Sequence, residues 1–197
     1  MSEILTMLDS QVLSISLNRA EKMNALTRGM YRDLANELTT ADQEFGIRAV
    51  VITSEVDHFT AGNDILDFLE HPPTTDDSTV AAFLAALHNF SKPLIIAVKG
   101  NAVGVGTTML LHADIVVAGE SAKFSLPFTS LGLVPEAGSS FLLPRMVGHH
   151  RAAELFFTGD SFGAEYAEEI GLVNYVAADP YQKAHEIAVK IAKQPPQ

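Results

Sequence analysis

Short apolar segments alternate with helical patterns along most of the chain, and this alternation restricts the fold more than any other feature. Three runs are short and almost continuously apolar, as strands buried on both faces are: "RAVVITS" (48–54), "LIIAV" (94–98) and "DIVVAG" (114–119). "QVLSISL" (11–17) alternates polar and apolar residues, which is typical of a half-buried strand. Because strands recur between helical segments, we predict an α/β fold with crossover connections rather than an all-β sandwich.

Two segments carry apolar residues at helical spacing. The first runs from about Thr27 to Phe45, with Met30, Leu34, Leu38, Ala41 and Phe45 on one face, and the second is marked by Val80, Phe83, Leu84 and Leu87. Between a strand and the second helix, "HPPTTDDST" (71–79) is predicted to be an exposed loop rather than a domain boundary. The 197 residues, 47% of them hydrophobic, suit a single domain over residues 1–197.

Composition excludes several classes of function. The net charge of −11 argues against a nucleic-acid partner, which needs an extended basic face. There is no cysteine, which excludes thiol chemistry and thiolate metal sites. The apolar runs are too short to span a membrane, and the N-terminus lacks the features of a signal peptide, so we expect a cytoplasmic protein with no membrane partner.

Familiar catalytic and metal motifs are missing from the sequence. The glycines at 104 and 106 lack the spacing of a dinucleotide fingerprint, and there is neither a Gly-Lys-Ser/Thr phosphate loop nor a G-x-S-x-G motif. The adjacent His149 and His150 would point in different directions on a helix, which favours a surface role over metal binding. We therefore predict no metal site.

Two glycine-containing turns precede predicted helix starts: "TAGND" (60–64) and "AVGVG" (102–106). Glycine allows the backbone to approach a ligand closely, and the first N–H groups of a helix have no partner within the helix. Two such turns could direct N–H groups at one oxygen and stabilise negative charge on it, as an oxyanion hole does. Ordinary turns are the alternative interpretation.

One carboxylate, Glu136, stands among uncharged residues in "FTSLGLVPEAGSS" (128–140). It could lie in the first turn of a helix, where an acid interacts favourably with the helix dipole. It could also be a catalytic base in apolar surroundings. The cluster "NRAEKMNALTR" (18–28) raises a similar choice, since Arg19, Lys22 and Arg28 could either bind an anion or belong to a solvated loop.

Six segments occur in the order found in the crotonase (enoyl-CoA hydratase/isomerase) superfamily, and over residues 10–180 the chain resembles its members. The segments are "NRAEKMNALT", "FTAGNDI", "KPLIIAVKGNAVGVG", "ADIVVAG", "FSLPFTSLGLVPEAGSSFLLPRMVG" and "GLVNYVA". The resemblance implies a spiral of ββα units, a homotrimer or hexamer, and an acyl-CoA thioester substrate with no further cofactor. It also implies that the backbone N–H groups of Asn63 and Val105 hold the thioester oxygen.

The acids indicate the reaction within this superfamily. Hydratases of the family use two glutamates, and the matching positions here carry Thr108 and Phe128, neither of which can act as a base. "GND" (62–64) and "LPFTSLGLVPEAGSS" instead resemble the peroxisomal type of Δ3,Δ2-enoyl-CoA isomerase, whose single catalytic glutamate matches Glu136. Leu126, Phe128 and Leu133 would supply apolar surroundings that raise the pKa of this acid.

The resemblance also assigns the substrate-binding residues. They are Lys22, expected to contact CoA phosphates, with Ala25, Ala61, Gly62, Asp64, Ile65, Gly104 and Phe128. The alternatives are hydration, isomerisation of a ring-derived CoA ester, or acyl-CoA binding without catalysis. Family members usually continue through further helices beyond the point matching Gln197, so we expect that the C-terminal helical part, on which a peroxisomal address could lie, is absent from this chain.

Overall fold

The structure, a computed structural model, describes residues 2–70 and 78–195, which form nine strands and eight α-helices. The strands are β1 (Ile4–Asp9), β2 (Val12–Leu17), β3 (Ala49–Ser54), β4 (Leu94–Val98), β5 (Asn101–Val103), β6 (Ile115–Gly119), β7 (Lys123–Ser125), β8 (Phe162–Gly163) and β9 (Tyr175–Ala177). The helices are α1 (Arg28–Gln43), α2 (Ile65–Glu70), α3 (Thr79–Asn89), α4 (Val105–Thr108), α5 (Ser139–Val147), α6 (His149–Thr158), α7 (Ala164–Glu169) and α8 (Pro180–Ala192). Short 3-10 helices cover Ala20–Lys22, Met109–His112 and Thr129–Leu131.

Six strands form the main sheet in the order β1-β2-β3-β4-β6-β9, and every pairing except that of β1 with β2 is parallel. One face packs against a cluster that includes α1 and α3 residues, and the other packs against α8 through Ala184, Ala188 and Ala192. The strands β3 and β4 are apolar along their length because both faces are covered. The predicted α/β class is confirmed.

The strand β2 differs from its prediction, because all six of its residues are buried rather than alternate ones. Its serines face helix α8, where the Ser14 hydroxyl lies 3.1 Å from the hydroxyl of Tyr181. The polar and apolar alternation therefore reflects two covered faces of different chemistry, not one solvated face. The hairpin partner β1, which turns into β2 through Ser10 and Gln11 at positive φ, was not predicted.

Helix α1 follows the predicted pattern up to its last turn. The Thr27 hydroxyl caps it by accepting the N–H of Met30 at 3.2 Å. The helix ends at Gln43, and Phe45, expected on its apolar face, is 86% exposed, so that part of the prediction was wrong. Of the predicted loop 71–79, Ser78 caps α3 and Thr79 begins it, while residues 71–77 lie outside the described residues.

A second sheet, in the order β5-β7-β8, receives the chain when it leaves the main sheet after β4 and after β6. The chain passes from β4 to β5 and then to α4, and from β6 to β7 and later to α5. After β3 it runs beside β5 through a single bridge of Thr60 with Ala102 before it enters α2. This repetition of strand, strand and helix matches the expected spiral, and it brings the segments that follow β3 and β4 together.

No helix within residues 2–70 and 78–195 combines the length and the apolar character that crossing a bilayer requires.

Candidate active site

Two backbone segments run side by side at the edge of the second sheet. The parallel bridge between Thr60 and Ala102 is flanked by two hydrogen bonds of 3.0 Å. Three positions further along each segment stand Asn63 and Val105, so the parallel register carries their peptide groups forward together. Gly62 keeps the segments close, because a Cβ atom at this residue, whose φ is +89°, would lie 3.0 Å from the carbonyl oxygen of Val103.

The N–H groups of Asn63 and Val105 donate to no acceptor in the described part of the chain. Around Asn63, the N–H groups of its neighbours Gly62 and Asp64 donate to the Thr60 hydroxyl and the Leu26 carbonyl, respectively. Val105 is the first residue of α4, where a helix leaves its N–H groups without an internal acceptor. The two donors predicted for an oxyanion hole therefore have the hydrogen-bonding capacity that this role requires.

Glycine is also required within α4. A Cβ atom at Gly106 would lie 2.5 Å from the Thr60 side chain, so any larger residue would push the two segments apart. The Thr107 hydroxyl donates to the Ala102 carbonyl at 2.6 Å and fixes the start of the helix on β5. The separation of the two segments is thus determined by close packing.

Glu136 lies in the loop that precedes α5, and its side chain points back to α4. The Thr108 hydroxyl donates a hydrogen bond of 3.1 Å to Oε1 of Glu136. Burial raises the pKa of the Glu136 carboxyl group, and the Thr108 hydrogen bond partly opposes this shift. A carboxylate with a raised pKa and one neutral donor is suited to accept a proton.

The helix-start interpretation of Glu136 does not fit its position. Helix α5 begins at Ser139 after the capping residue Gly138, so Glu136 precedes the first turn rather than lying in it. Its backbone carbonyl accepts the N–H of Ser139 at 2.9 Å, while its carboxylate contacts a different helix. The Glu136 carboxylate is therefore held away from the N-terminus of α5, and an interaction with the dipole of that helix does not account for its position.

Tyr31 contacts the side chain of Asn63, and the sequence analysis missed it. Its buried phenol donates to Oδ1 of Asn63 at 2.5 Å. Burial raises the pKa of this phenol well above its usual range, and the charge of Glu136 raises it further, which keeps the phenol protonated as the donor. The only signal in the sequence was a polar aromatic residue beside Met30 on the apolar face of α1.

The basic loop after β2 (residues 18–28) is hydrogen-bonded to the segment that leads to Asn63. The Ala61 N–H donates to the Met23 carbonyl at 3.0 Å, and the Leu26 N–H donates to the Gly62 carbonyl at 2.7 Å. The buried Asn24 side chain organises the loop by donating to the carbonyls of residues 58 and 59. The structure therefore brings together the predicted binding residues Lys22, Ala25, Ala61, Gly62, Asp64 and Ile65.

Two of the three basic residues in this loop are paired with acids. Arg19 donates to Asp64 at 2.8 Å and forms an ion pair with Glu3 at 3.0 Å, and its side chain is only 13% exposed. Arg28 pairs with Asp67 at 3.3 Å. Lys22 is exposed at the end of a 3-10 helix and forms no ion pair with the described residues, so it remains the candidate for an anionic ligand.

All polar groups of Asp64 form hydrogen bonds within the protein. Its carboxylate binds Arg19 and accepts the N–H groups of Leu66 and Asp67 at the start of α2. The hydrogen bond from Arg19 is the main reason that the pKa of this carboxyl group lies below its usual value. Its N–H donates to Leu26, so a ligand contact at this residue would have to displace an internal bond.

The apolar residues expected around Glu136 differ in exposure. Leu126 and Phe128 are buried, and the Phe128 ring packs against Phe156 with 6.5 Å between the ring centres. Leu133 is 43% exposed. Gly104, the remaining predicted contact, caps α4 with a φ of +56° directly before Val105.

The histidines and acids of the described residues form no cluster of three that could hold a metal ion. His149 and His150 begin α6 and are exposed, as a surface role requires.

Comparisons with known proteins identify the family of the chain. The sequence profile described as enoyl-CoA hydratase/isomerase matches residues 8–197. The chain is 37% identical to the 2,3-dehydroadipyl-CoA hydratase of Escherichia coli strain K12, over all of this chain and 78% of that protein. It is 36% identical to the 1,2-epoxyphenylacetyl-CoA isomerase of the same strain, over 99% of this chain and 78% of that protein. The solved structure of OdaA from Pseudomonas aeruginosa superposes with a TM-score of 0.95 at 45% identity, over all of this chain and 81% of that one. The chain therefore belongs to the enoyl-CoA hydratase/isomerase family and has the crotonase fold.

Proposed function

We propose that the protein is an acyl-CoA isomerase that moves a double bond from position 3 to position 2 of an enoyl-CoA. The observation that carries this proposal is the partner of Glu136, which is the Thr108 hydroxyl and not a second carboxylate. One of the two E. coli relatives is a hydratase and the other an isomerase, so the reaction has to be argued from the site.

Isomerisation needs one base and one oxyanion hole. Glu136 takes a proton from C2 of the 3-enoyl thioester, and the electrons move onto the thioester oxygen as a dienolate forms. The N–H groups of Asn63 and Val105 stabilise that oxygen. Return of the proton from Glu136 to C4 restores the thioester carbonyl and leaves the double bond between C2 and C3. The proposed reaction requires no metal and no redox cofactor.

Hydration would require more than these residues provide. In hydratases of the family a second glutamate helps to orient the water, and Thr108 and Phe128 occupy the matching positions. A threonine hydroxyl does not act as a base near neutral pH, and the buried Phe128 offers no polar partner to a water molecule. These substitutions favour a reaction in which no water is added.

The CoA moiety is proposed to lie along the loop around Lys22. This lysine is exposed next to the segment that leads to Asn63, whereas Arg19 and Arg28 are paired with acids. A flexible ammonium group without an ion-pair partner in the described residues is suited to a phosphate contact.

The test compares two reactions of the purified protein. A 3-enoyl-CoA should be converted into its 2-enoyl isomer, followed by absorbance of the conjugated thioester, much faster than the 2-enoyl-CoA is hydrated. Efficient hydration would contradict the proposal. If both rates are negligible while CoA esters still bind, the protein is an acyl-CoA-binding protein, and a ring-derived CoA ester as the better substrate would shift the proposal to that rearrangement.

A further inference from the structure

We propose that His112 is a positioning residue that holds the Glu136 loop in its active geometry. This inference rests on the proposed function, because it concerns the base of that reaction. Nε2 of His112 lies 2.8 Å from the carbonyl oxygen of Ala137, the residue that follows Glu136. A carbonyl oxygen only accepts, so Nε2 carries the proton and donates it to this bond.

The Glu136 loop contains a turn that its sequence does not favour. The Glu136 carbonyl accepts the N–H of Ser139 at 2.9 Å, and both residues between them, Ala137 and Gly138, have positive φ values of 53° and 64°. Turns with two positive φ values prefer asparagine, aspartate or glycine at these positions. Alanine is disfavoured there because its Cβ atom crowds the backbone, so a contact from outside the turn is needed to hold it.

The segment that supplies this contact also carries one of the oxyanion donors and the hydrogen-bond partner of the base. Residues 105–111 are buried, and they begin with the N–H of Val105. Thr108, in the middle of the segment, donates to the Glu136 carboxylate. His112, directly after the segment, donates to the backbone carbonyl of Ala137, the residue that follows Glu136. One buried segment therefore fixes the base relative to the oxyanion donor at two points.

The two contacts act on different atoms. Thr108 restrains the end of a side chain with several rotatable bonds, whereas His112 restrains the backbone from which that side chain projects. Loss of the His112 contact would allow the turn to relax to negative φ at Ala137, and the Glu136 carboxylate would move with it. Because proton transfer requires close alignment, this displacement should lower the rate of the chemical step rather than substrate binding.

The experiment compares three replacements of His112. His112→Leu removes the donor, His112→Asn places an amide too short to reach Ala137, and His112→Gln places an amide nitrogen close to the position of Nε2. We expect the first two variants to lower kcat for isomerisation by roughly tenfold to a hundredfold, with KM changed less than twofold. His112→Gln should retain most of kcat. The matched control is His150→Leu, at an exposed histidine of α6, which should leave kcat unchanged.

A second substitution tests the mechanism of the effect. Ala137→Gly should recover part of kcat in the His112→Leu or His112→Asn protein, because glycine adopts positive φ without the outside contact. Thermal melts show which variants are folded. If His112→Leu does not fold, His112→Asn replaces it in the comparison. Normal kcat in a folded His112→Asn protein, equal losses in the Gln and Asn variants, or no recovery with Ala137→Gly would overturn the proposal. If Glu136→Gln were also fully active, the proposed function itself would be at fault.

Discussion

Asp64 and Glu136 are both carboxylates of the active-site region, and their surroundings are opposite. Asp64 accepts hydrogen bonds from an arginine and from two backbone N–H groups, and these partners lower its pKa. Glu136 is half-buried with the Thr108 hydroxyl as its hydrogen-bond partner, and its partial burial raises its pKa. The number and charge of the donors thus separate an acid that holds two loops together from an acid that can accept a proton.

The largest expected effect is the loss of catalysis when the Glu136 carboxylate becomes an amide. Glu136→Gln keeps the size of the side chain and an acceptor for Thr108 but removes the base, so kcat for isomerisation should fall by about 10² to 10⁴. KM for the acyl-CoA should change little, since the base contributes mainly to the transition state. Steady-state kinetics with a 3-enoyl-CoA measure both constants. A variant with near-normal kcat would show that Glu136 is not the catalytic base and so does not differ from Asp64 in that role.

The same chemical change at the other acid should lower stability. Asp64→Asn leaves Arg19 with one acidic partner fewer, and the free energy of unfolding at pH 7 should fall by about 1.5 to 3 kcal/mol. Because the folded pKa of Asp64 is lowered, its stabilising effect is present above the unfolded pKa and is lost as pH falls through the folded pKa. Urea unfolding at several pH values should show the gap between wild type and variant closing on acidification. A constant gap would mean that its charge is not the cause.

Glu136→Gln should change stability in the opposite direction. The folded pKa of Glu136 is raised, so the ionised form is disfavoured in the folded protein as pH rises from the unfolded pKa through the folded one. The free energy of unfolding at pH 7, measured by urea unfolding, should therefore be higher for the variant than for the wild type by an amount of order 1 kcal/mol. Below about pH 4 the two proteins should be equally stable. A less stable variant at pH 7 would show that the carboxylate stabilises the fold after all.

The smallest expected effect concerns Lys22, the basic residue of the Asp64 region without an acidic partner among the described residues. Lys22→Ala should raise KM a few-fold and leave kcat nearly unchanged, since a phosphate contact binds substrate and transition state alike. Added salt should weaken binding by the wild type more than by the variant, because salt screens the lysine charge. The matched control is Lys193→Ala, an exposed lysine just after α8. Identical salt dependence in both proteins would assign Lys22 to an ordinary solvated loop.

The sequence predicted the elements whose cause is local. Helix α1 follows from apolar spacing that begins at about Thr27, and the strands β3, β4 and β6 follow from short apolar runs. The turns before α2 and α4 were found from their glycines, and the resemblance to a family added the roles of Asn63 and Val105. Local periodicity and backbone preference were sufficient for these features.

Contacts between distant segments could not be predicted in the same way. Burial of both faces of β2 depends on α8, whose Tyr181 is 167 positions from Ser14. The pairing of Arg19 with Asp64 joins residues 45 positions apart. It neutralises a basic residue that the sequence analysis considered as a possible anion ligand. Neither partner carries a periodic or motif signal of the other, so only the three-dimensional arrangement reveals them.

The parallel bridge of Thr60 with Ala102 makes the oxyanion hole respond differently to two kinds of genetic change. Its donors are main-chain groups, so point mutations at residues 63 and 105, except those to proline, preserve the N–H itself. An insertion or deletion of one residue between 60 and 63, or between 102 and 105, would instead shift one donor relative to the other and reverse its direction. Across diverging descendants of this chain, amino-acid identity at residues 63 and 105 is therefore free to vary further than the length of the two segments.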